Sequence, residues 1–219
     1  MFSKLWEVQG TAEGSLCKTW ALHLFCVTSV NKLQRTLLKD LLTWTLEAIR
    51  SDDTMMSWLE ERRYEWAPIV GNAISKILEG QSVIIITDDT SRWFEEYLVR
   101  QINRPGTNRP LLPFFSFDAL YPFAASIRKD QDVDLLFDMM DLSYPQGYFF
   151  WYIGKADHQM ARIALRNEES LLWVMDEEMA NSFTLKSYDE MIDIKLLQLF
   201  RLFDKTLGAA LFAEVDVDG

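Results

Sequence analysis

The residues best suited to chemistry follow a short β-branched run, where Thr87-Asp-Asp-Thr-Ser-Arg92 sets two adjacent carboxylates among three hydroxyls and a guanidinium. Paired aspartates with a lysine after a later strand, Lys155, could hold a metal ion beside a phosphorylatable aspartate. That chemistry needs one more aspartate at the correct strand end, and Asp118 sits on an aromatic-flanked segment with no sign of the role. The simpler reading is that Asp88 and Asp89 cap a helix, their charge favoured by its N-terminal dipole. The loop contains no glycine to let a phosphate approach the backbone. The chain also has neither G-x-G-x-x-G nor G-x-x-x-x-G-K-[ST], which argues against dinucleotide and nucleoside-triphosphate binding. A Ser-His-Asp arrangement would hang on His158, in Lys155-Ala-Asp-His158-Gln-Met-Ala-Arg162, which reads as the exposed first turn of a helix.

The rare residues narrow the chemistry further. Both cysteines, Cys17 and Cys26, lie near the N-terminus, and the only other histidine is His23. From Asn31 onward a disulfide framework, a Cys/His zinc site or a thiol nucleophile has no material, and a reducing cytoplasmic home follows. No catalytic residue, cofactor site or metal site emerges. Across 219 residues, 22 basic against 33 acidic side chains leave a formal charge of −11. A protein that grips DNA by neutralising phosphates carries a basic face, so nucleic acid is reached through a partner.

Residues 1–37 differ from the remainder. Lys4, Lys18, Lys32 and Arg35 outnumber Glu7 and Glu13 by two, so the body carries −13. The apolar run Trp20–Val30 is too short to span a bilayer, which takes about 20 residues, and no signal cleavage site follows it. We expect residues 1–37 to be a poorly integrated extension and 38–219 to form a single α/β domain, without a membrane segment.

The elements that position the polar loops can be read from periodicity. Leu38, Leu41, Leu42, Leu46 and Ile49 recur at helical spacing, and a second helix runs from about Glu61 to Glu79-Gly80, with Pro68 able to kink or split it. Strands are expected at Ser82–Thr87, Leu111–Phe117, Tyr148–Ile153, Ser170–Met175 and, weaker and possibly at an edge, Ser182–Leu185. Helices at Thr90–Ile102, Asp132–Met140 and Lys155–Arg166 separate them. This alternation predicts a three-layer, doubly wound, mostly parallel sheet of about five strands, with ligands expected at the strands' carboxyl ends.

The last helix, Tyr188–Phe212, confines its polar residues to one stripe at 193, 195, 198, 201 and 204/205. A helix docked on one sheet face needs an apolar arc of only about 100° or a little more. Either this helix is sunk in its own fold or its second side packs against another subunit.

Six ordered segments resemble the HobA replication-initiation regulators. They are Leu38-Lys-Asp-Leu-Leu-Thr-Trp44, Thr87-Asp-Asp-Thr-Ser-Arg-Trp-Phe94, Arg109-Pro-Leu-Leu112, Phe150-Trp-Tyr-Ile-Gly-Lys155, Ser170-Leu-Leu-Trp173 and Lys195-Leu-Leu-Gln-Leu-Phe-Arg-Leu-Phe203. The resemblance runs from about residue 38 to the C-terminus. It implies the three-layer α/β fold of the phosphosugar-binding SIS domain, with a flavodoxin-like sheet, and a homotetramer. It also implies binding to the N-terminal domain of the initiator DnaA, with DNA reached only through that partner. Sugar isomerases of this fold cradle phosphate in a Ser/Thr/Gly-rich loop after the first strand. Here two carboxylates stand in that place and repel a dianion, which disfavours the alternative of a phosphosugar sensor or isomerase. Contact with the initiator or with another subunit is expected at the end of the last helix and along the Trp93 helix. The residues are Phe203, Leu207, Leu211, Phe212 and Trp93, with Asp88, Asp89 and Arg92 as rim charges.

Overall fold

Alternation along the central strands dictates two cores. In a strand, successive side chains leave on opposite faces. Val83 and Ile85 therefore face one way with Trp151, Ile153, Trp173 and Phe183, while Ile84 and Ile86 face the other with Phe150, Tyr152, Leu172 and Val174. Both faces are covered, which is why these strands carry no polar alternation.

In this computed structural model, residues 39–217 are described, apart from 53–55, 125, 126 and 128. The expected extension, with Cys17, Cys26 and His23, lies outside the described residues. The described elements are β1 (Lys39–Asp40), α1 (Leu41–Ser51), α2 (Arg63–Leu78), β2 (Ser82–Thr87), α3 (Arg92–Ile102), β3 (Phe114–Ser116) and α4 (Phe117–Leu120). They continue with α5 (Asp130–Ser143), β4 (Tyr148–Lys155), α6 (Gln159–Ala164), β5 (Leu171–Met175), β6 (Ser182–Leu185), α7 (Ile192–Leu211) and β7 (Val215–Asp216).

The main sheet has the order β3-β2-β4-β5-β6, and all its pairings are parallel. Counted from its first strand this is 2-1-3-4-5, the flavodoxin-like order, whose topological switch point falls between β2 and β4. Helices α1, α2, α3 and α7 cover one face and α4, α5 and α6 the other, giving the three expected layers.

Several boundaries move for identifiable reasons. The first helix begins at Leu41, because Asp40 stays extended and its side chain accepts from the Thr43 N–H at 3.0 Å; Lys39–Asp40 instead pair with Val215–Asp216. Pro68 neither splits nor ends α2. The second strand of the sheet shrinks to Phe114–Ser116 behind Pro113, and the helix after β4 contracts to Gln159–Ala164, because β4 itself runs on to Lys155. Parallel neighbours β5 and β6 are joined by only six residues, Asp176–Asn181, with Asp176 at φ 69° making the reversal. Ser187, just beyond β6, donates its N–H to Asp176 Oδ1 at 2.8 Å and so ties the ends of β5 and β6 together.

The last helix answers the question its pattern posed. Leu196, Leu199, Phe200, Leu202, Phe203 and Leu207 are all buried in the protomer's own core, together with Gln198 and Thr206. Gln198 accepts from Trp58 Nε1 at 2.8 Å, and Thr206 donates its hydroxyl to the Leu202 carbonyl at 2.7 Å. Most of the apolar surface of α7 is therefore consumed internally, while Ile194 near its start and Phe212 at its end stay exposed.

Candidate functional site

At the switch point Thr87 ends β2 and the chain turns into α3. Asp88 does not point outward. Its carboxylate is buried and accepts three hydrogen bonds: from the Ser91 N–H at 2.8 Å, the Thr90 hydroxyl at 2.8 Å and, across the crevice, the Lys155 N–H at 3.0 Å. Burial pushes this carboxyl up, but the donors from Ser91, Thr90 and Lys155 outweigh it and hold the group below the usual carboxylate range.

The neighbouring backbone is shaped to admit that carboxylate. Gly154 has φ +153°, and a Cβ built on it would stand 2.7 Å from Asp88 Cγ. A side chain there and the Asp88 carboxylate cannot coexist. The Tyr152 hydroxyl donates to the Lys155 carbonyl at 2.6 Å, holding the next peptide along. The crevice in which doubly wound folds bind ligands is thus filled by the chain's own anion.

The other predicted polar residues do not converge. Asp89 is largely exposed and lies 3.8 Å from His158 Nε2. His158 caps α6, its Nδ1 accepting from the Met160 N–H at 3.3 Å. Arg92 pairs with Asp118 across an open groove of about 410 Å³. Among the described residues no group of three or more His, Cys, Asp or Glu is placed to hold a metal ion. Asp88 and Asp89 do share a loop, but the capping role expected of them is not seen: the N-cap of α3 is Ser91, α3 has no side-chain cap hydrogen bond, and Asp88 accepts from the N–H of Ser91, just ahead of the helix.

One titratable group in this region escaped the sequence reading. Glu95, at 4 % exposure, lines the Arg92–Asp118 groove; its Oε2 accepts from the Thr87 hydroxyl at 2.9 Å and its Oε1 has no hydrogen-bond partner among the described residues. Burial, reinforced by the charge of Asp118, raises its pKa against the opposing pull of the Ser116 and Thr87 hydroxyls and Arg92. No motif announces it; the signal available was its place one turn into a helix whose inward positions are Phe94 and Leu98.

The contact residues divide by burial. Phe203 and Leu207 are buried completely and cannot touch a partner while the protomer is folded, so they are withdrawn; Asp88 is withdrawn because its carboxylate is spent inside. Trp93 and Phe212 are exposed, Leu211 is half-buried, and Asp89 and Arg92 lie at the surface. Apolar exposure that the sequence reading missed lies on α5, at Leu135, Met139 and Leu142.

A family model described as HobA, DNA replication regulator, matches residues 38–217. The chain belongs to the HobA family. The DNA replication regulator protein HobA of Helicobacter pylori is 30 % identical over 184 residues, covering 81 % of this chain and 99 % of that protein. Among solved structures, a HobA–DnaA (domain I–II) complex from Helicobacter pylori matches with a TM-score of 0.63 and 29 % identity, over 82 % of this chain and 99 % of that one. HobA from the same organism, crystallised, matches with a TM-score of 0.60 and 27 % identity, over 81 % and 99 %. The resemblance of the six segments and the three-layer fold are both borne out.

Proposed function

We propose that this chain is a non-enzymatic regulator of replication initiation that binds the N-terminal domains of DnaA and, as a cytoplasmic homotetramer, gathers initiator molecules at the origin. The observation that carries this reading is the likeness to a HobA chain whose crystal structure is a complex with DnaA domains I–II. The net charge of −11 supports contact with DNA through the initiator only. The filled crevice supports a binding role over turnover of a phosphosugar, because a ligand would have to displace a carboxylate already satisfied by three donors. Among the described residues no helix is long and apolar enough to cross a membrane.

Clustering makes second and later encounters effectively intramolecular, raising avidity by about 10² to 10⁴ without new contacts. Mixing the full chain with purified DnaA N-terminal domains at about 10–50 µM should give co-elution on a sizing column, and light scattering should give a tetrameric mass for the chain alone. Separate elution overturns the partner, and a monomeric mass overturns the clustering. A millimolar phosphosugar screen read by thermal shift should leave Tm unchanged.

A further inference from the structure

The groove between α3 and the β3–α4 junction holds a carboxylate that the functional reading leaves unused. Glu95 lines this groove and is sunk to 4 % exposure. Thr87 donates its hydroxyl to Oε2 at 2.9 Å, whereas Oε1 has no hydrogen-bond partner among the described residues. A buried carboxylate oxygen without a donor is costly, because it has given up water and received nothing in exchange. The Ser116 hydroxyl also pulls on this carboxylate from β3, but a hydroxyl brings no countercharge.

The cations of the groove are committed elsewhere. Arg92 pairs with Asp118, and their side chains are 60 % and 44 % exposed, so the pair stands in water and parts readily. Arg100 lies 3.9 Å from Glu96 in a looser pair. Three carboxylates thus share about 410 Å³ with two guanidinium groups, each of which faces an acid other than Glu95. Val99 and Ala119 add apolar wall.

Charge and shape together say what fits. An anion entering the groove meets a buried carboxylate. A metal ion lacks its ligands, since among the described residues no three acidic, thiol or imidazole groups are placed to hold one. An ammonium group supplies what Glu95 lacks, a donor and a countercharge in one, and its hydrogen bond to Oε1 is charge-assisted. A second ammonium on the same short chain finds Asp118, while the methylenes between them cover Val99 and Ala119. The geometry points to this groove as a binding site for a small aliphatic diamine, one ammonium on Glu95 Oε1 and the other on Asp118, with Arg92 swung into solvent. The site is distinct from the crevice that Asp88 fills, and the assignment is independent of the initiator-binding reading.

Titration calorimetry of the full-length chain with putrescine, in low-salt buffer at neutral pH, tests the assignment. Saturable binding of one diamine per chain is expected below about 10 mM, with a rise in Tm that butanediol, of the same length but uncharged, does not produce. Glu95→Gln keeps an acceptor for Thr87, so without ligand it should melt no lower than the unaltered chain. It should weaken putrescine binding by about tenfold or more. Asp132→Asn, on α5 and outside the groove, removes the same unit of charge and should bind as the unaltered chain does. A chain of charge −11 attracts any polycation, so equal weakening by Glu95→Gln and Asp132→Asn would reduce the binding to general attraction and overturn the site. No saturable heat up to about 10 mM, or binding by Glu95→Gln within about twofold of the unaltered chain, would overturn it as well.

Discussion

Burial pushes two carboxyl groups within one loop and helix start the same way, up, and the donors each receives decide where it finally stands. Asp88 receives three donors and stays ionised below its ordinary range; Glu95 receives one clear donor and is pushed up. The two therefore have opposite pH signs. The depressed Asp88 contributes stability that is present above its unfolded value of about 3.9 and lost as pH falls through its lower folded value. The raised Glu95 is favourable below its unfolded value of about 4.3, and that advantage is lost as pH rises through its folded value. Glu95→Gln keeps an acceptor for Thr87 and removes the charge. It should raise stability at pH 7 by about 1 kcal/mol, with the gain vanishing below about pH 4, where the native side chain is also neutral; thermal melts across pH measure this. A gain independent of pH would show that Glu95 has the same pKa in the folded and the unfolded chain. The Asp88 loop was legible because an aspartate that accepts from groups two and three residues on, here the Thr90 hydroxyl and the Ser91 N–H, makes a local turn. It did not disclose the third donor, Lys155 N–H, which is 67 residues away in the chain, nor Glu95, whose state depends on what the fold stacks over it.

At the scale of elements, the switch point is a latch between the β2–α3 turn and the end of β4, with Gly154 as its seat. Gly154→Ala should cost about 3 kcal/mol, since the added Cβ meets Asp88 at 2.7 Å and the backbone at φ +153° disfavours a side chain. If the clash with the Asp88 side chain dominates, Gly154→Ala should cost much less in a background already carrying Asp88→Gly. Chemical denaturation of the four members of that cycle should give a coupling of about 1 kcal/mol or more. Additive losses would reduce Gly154 to a matter of backbone conformation. The buried strands were legible because a run such as Ser82–Thr87 can satisfy water on neither face, and its bounds agree with the structure. The two helices with apolar excess were read less well. The two-sided apolar pattern of Tyr188–Phe212 is mostly buried in the first core, with Ile194 and Phe212 left exposed. Asp132–Met140 looked like a simple crossover, but α5 extends on to Leu142 with a second stripe interleaved with the first. Periodicity counts apolar faces; only the neighbours say which face is covered.

At the scale of the molecule, the body from Lys39 onward closes on itself. Asp40 caps α1, β1 pairs with β7 so that residues 39–40 meet residues 215–216, and among the described residues the buried members of the two cores run from Ala48 to Leu207. The family match begins at residue 38, and the Helicobacter pylori protein is covered almost end to end by this body. We propose that residues 1–37 are dispensable both for folding and for binding the initiator. Removing them leaves a fragment with a formal charge of −13, more acidic than the whole, because the deleted segment carries an excess of two positive charges. The truncated chain should melt within about 2 °C of the full one, a change smaller than about 1 kcal/mol for a domain of this size. It should bind the DnaA N-terminal domains at least as tightly, since the family match lies wholly within the retained residues. A fall of about 10 °C would mean that the first 37 residues contribute to the core. Tighter binding on truncation with an unchanged melt would mean that they oppose the partner electrostatically or sterically. Repeating the titration at high salt separates those two, because a charge effect fades within a Debye length of about 3 Å at 1 M while a steric one persists.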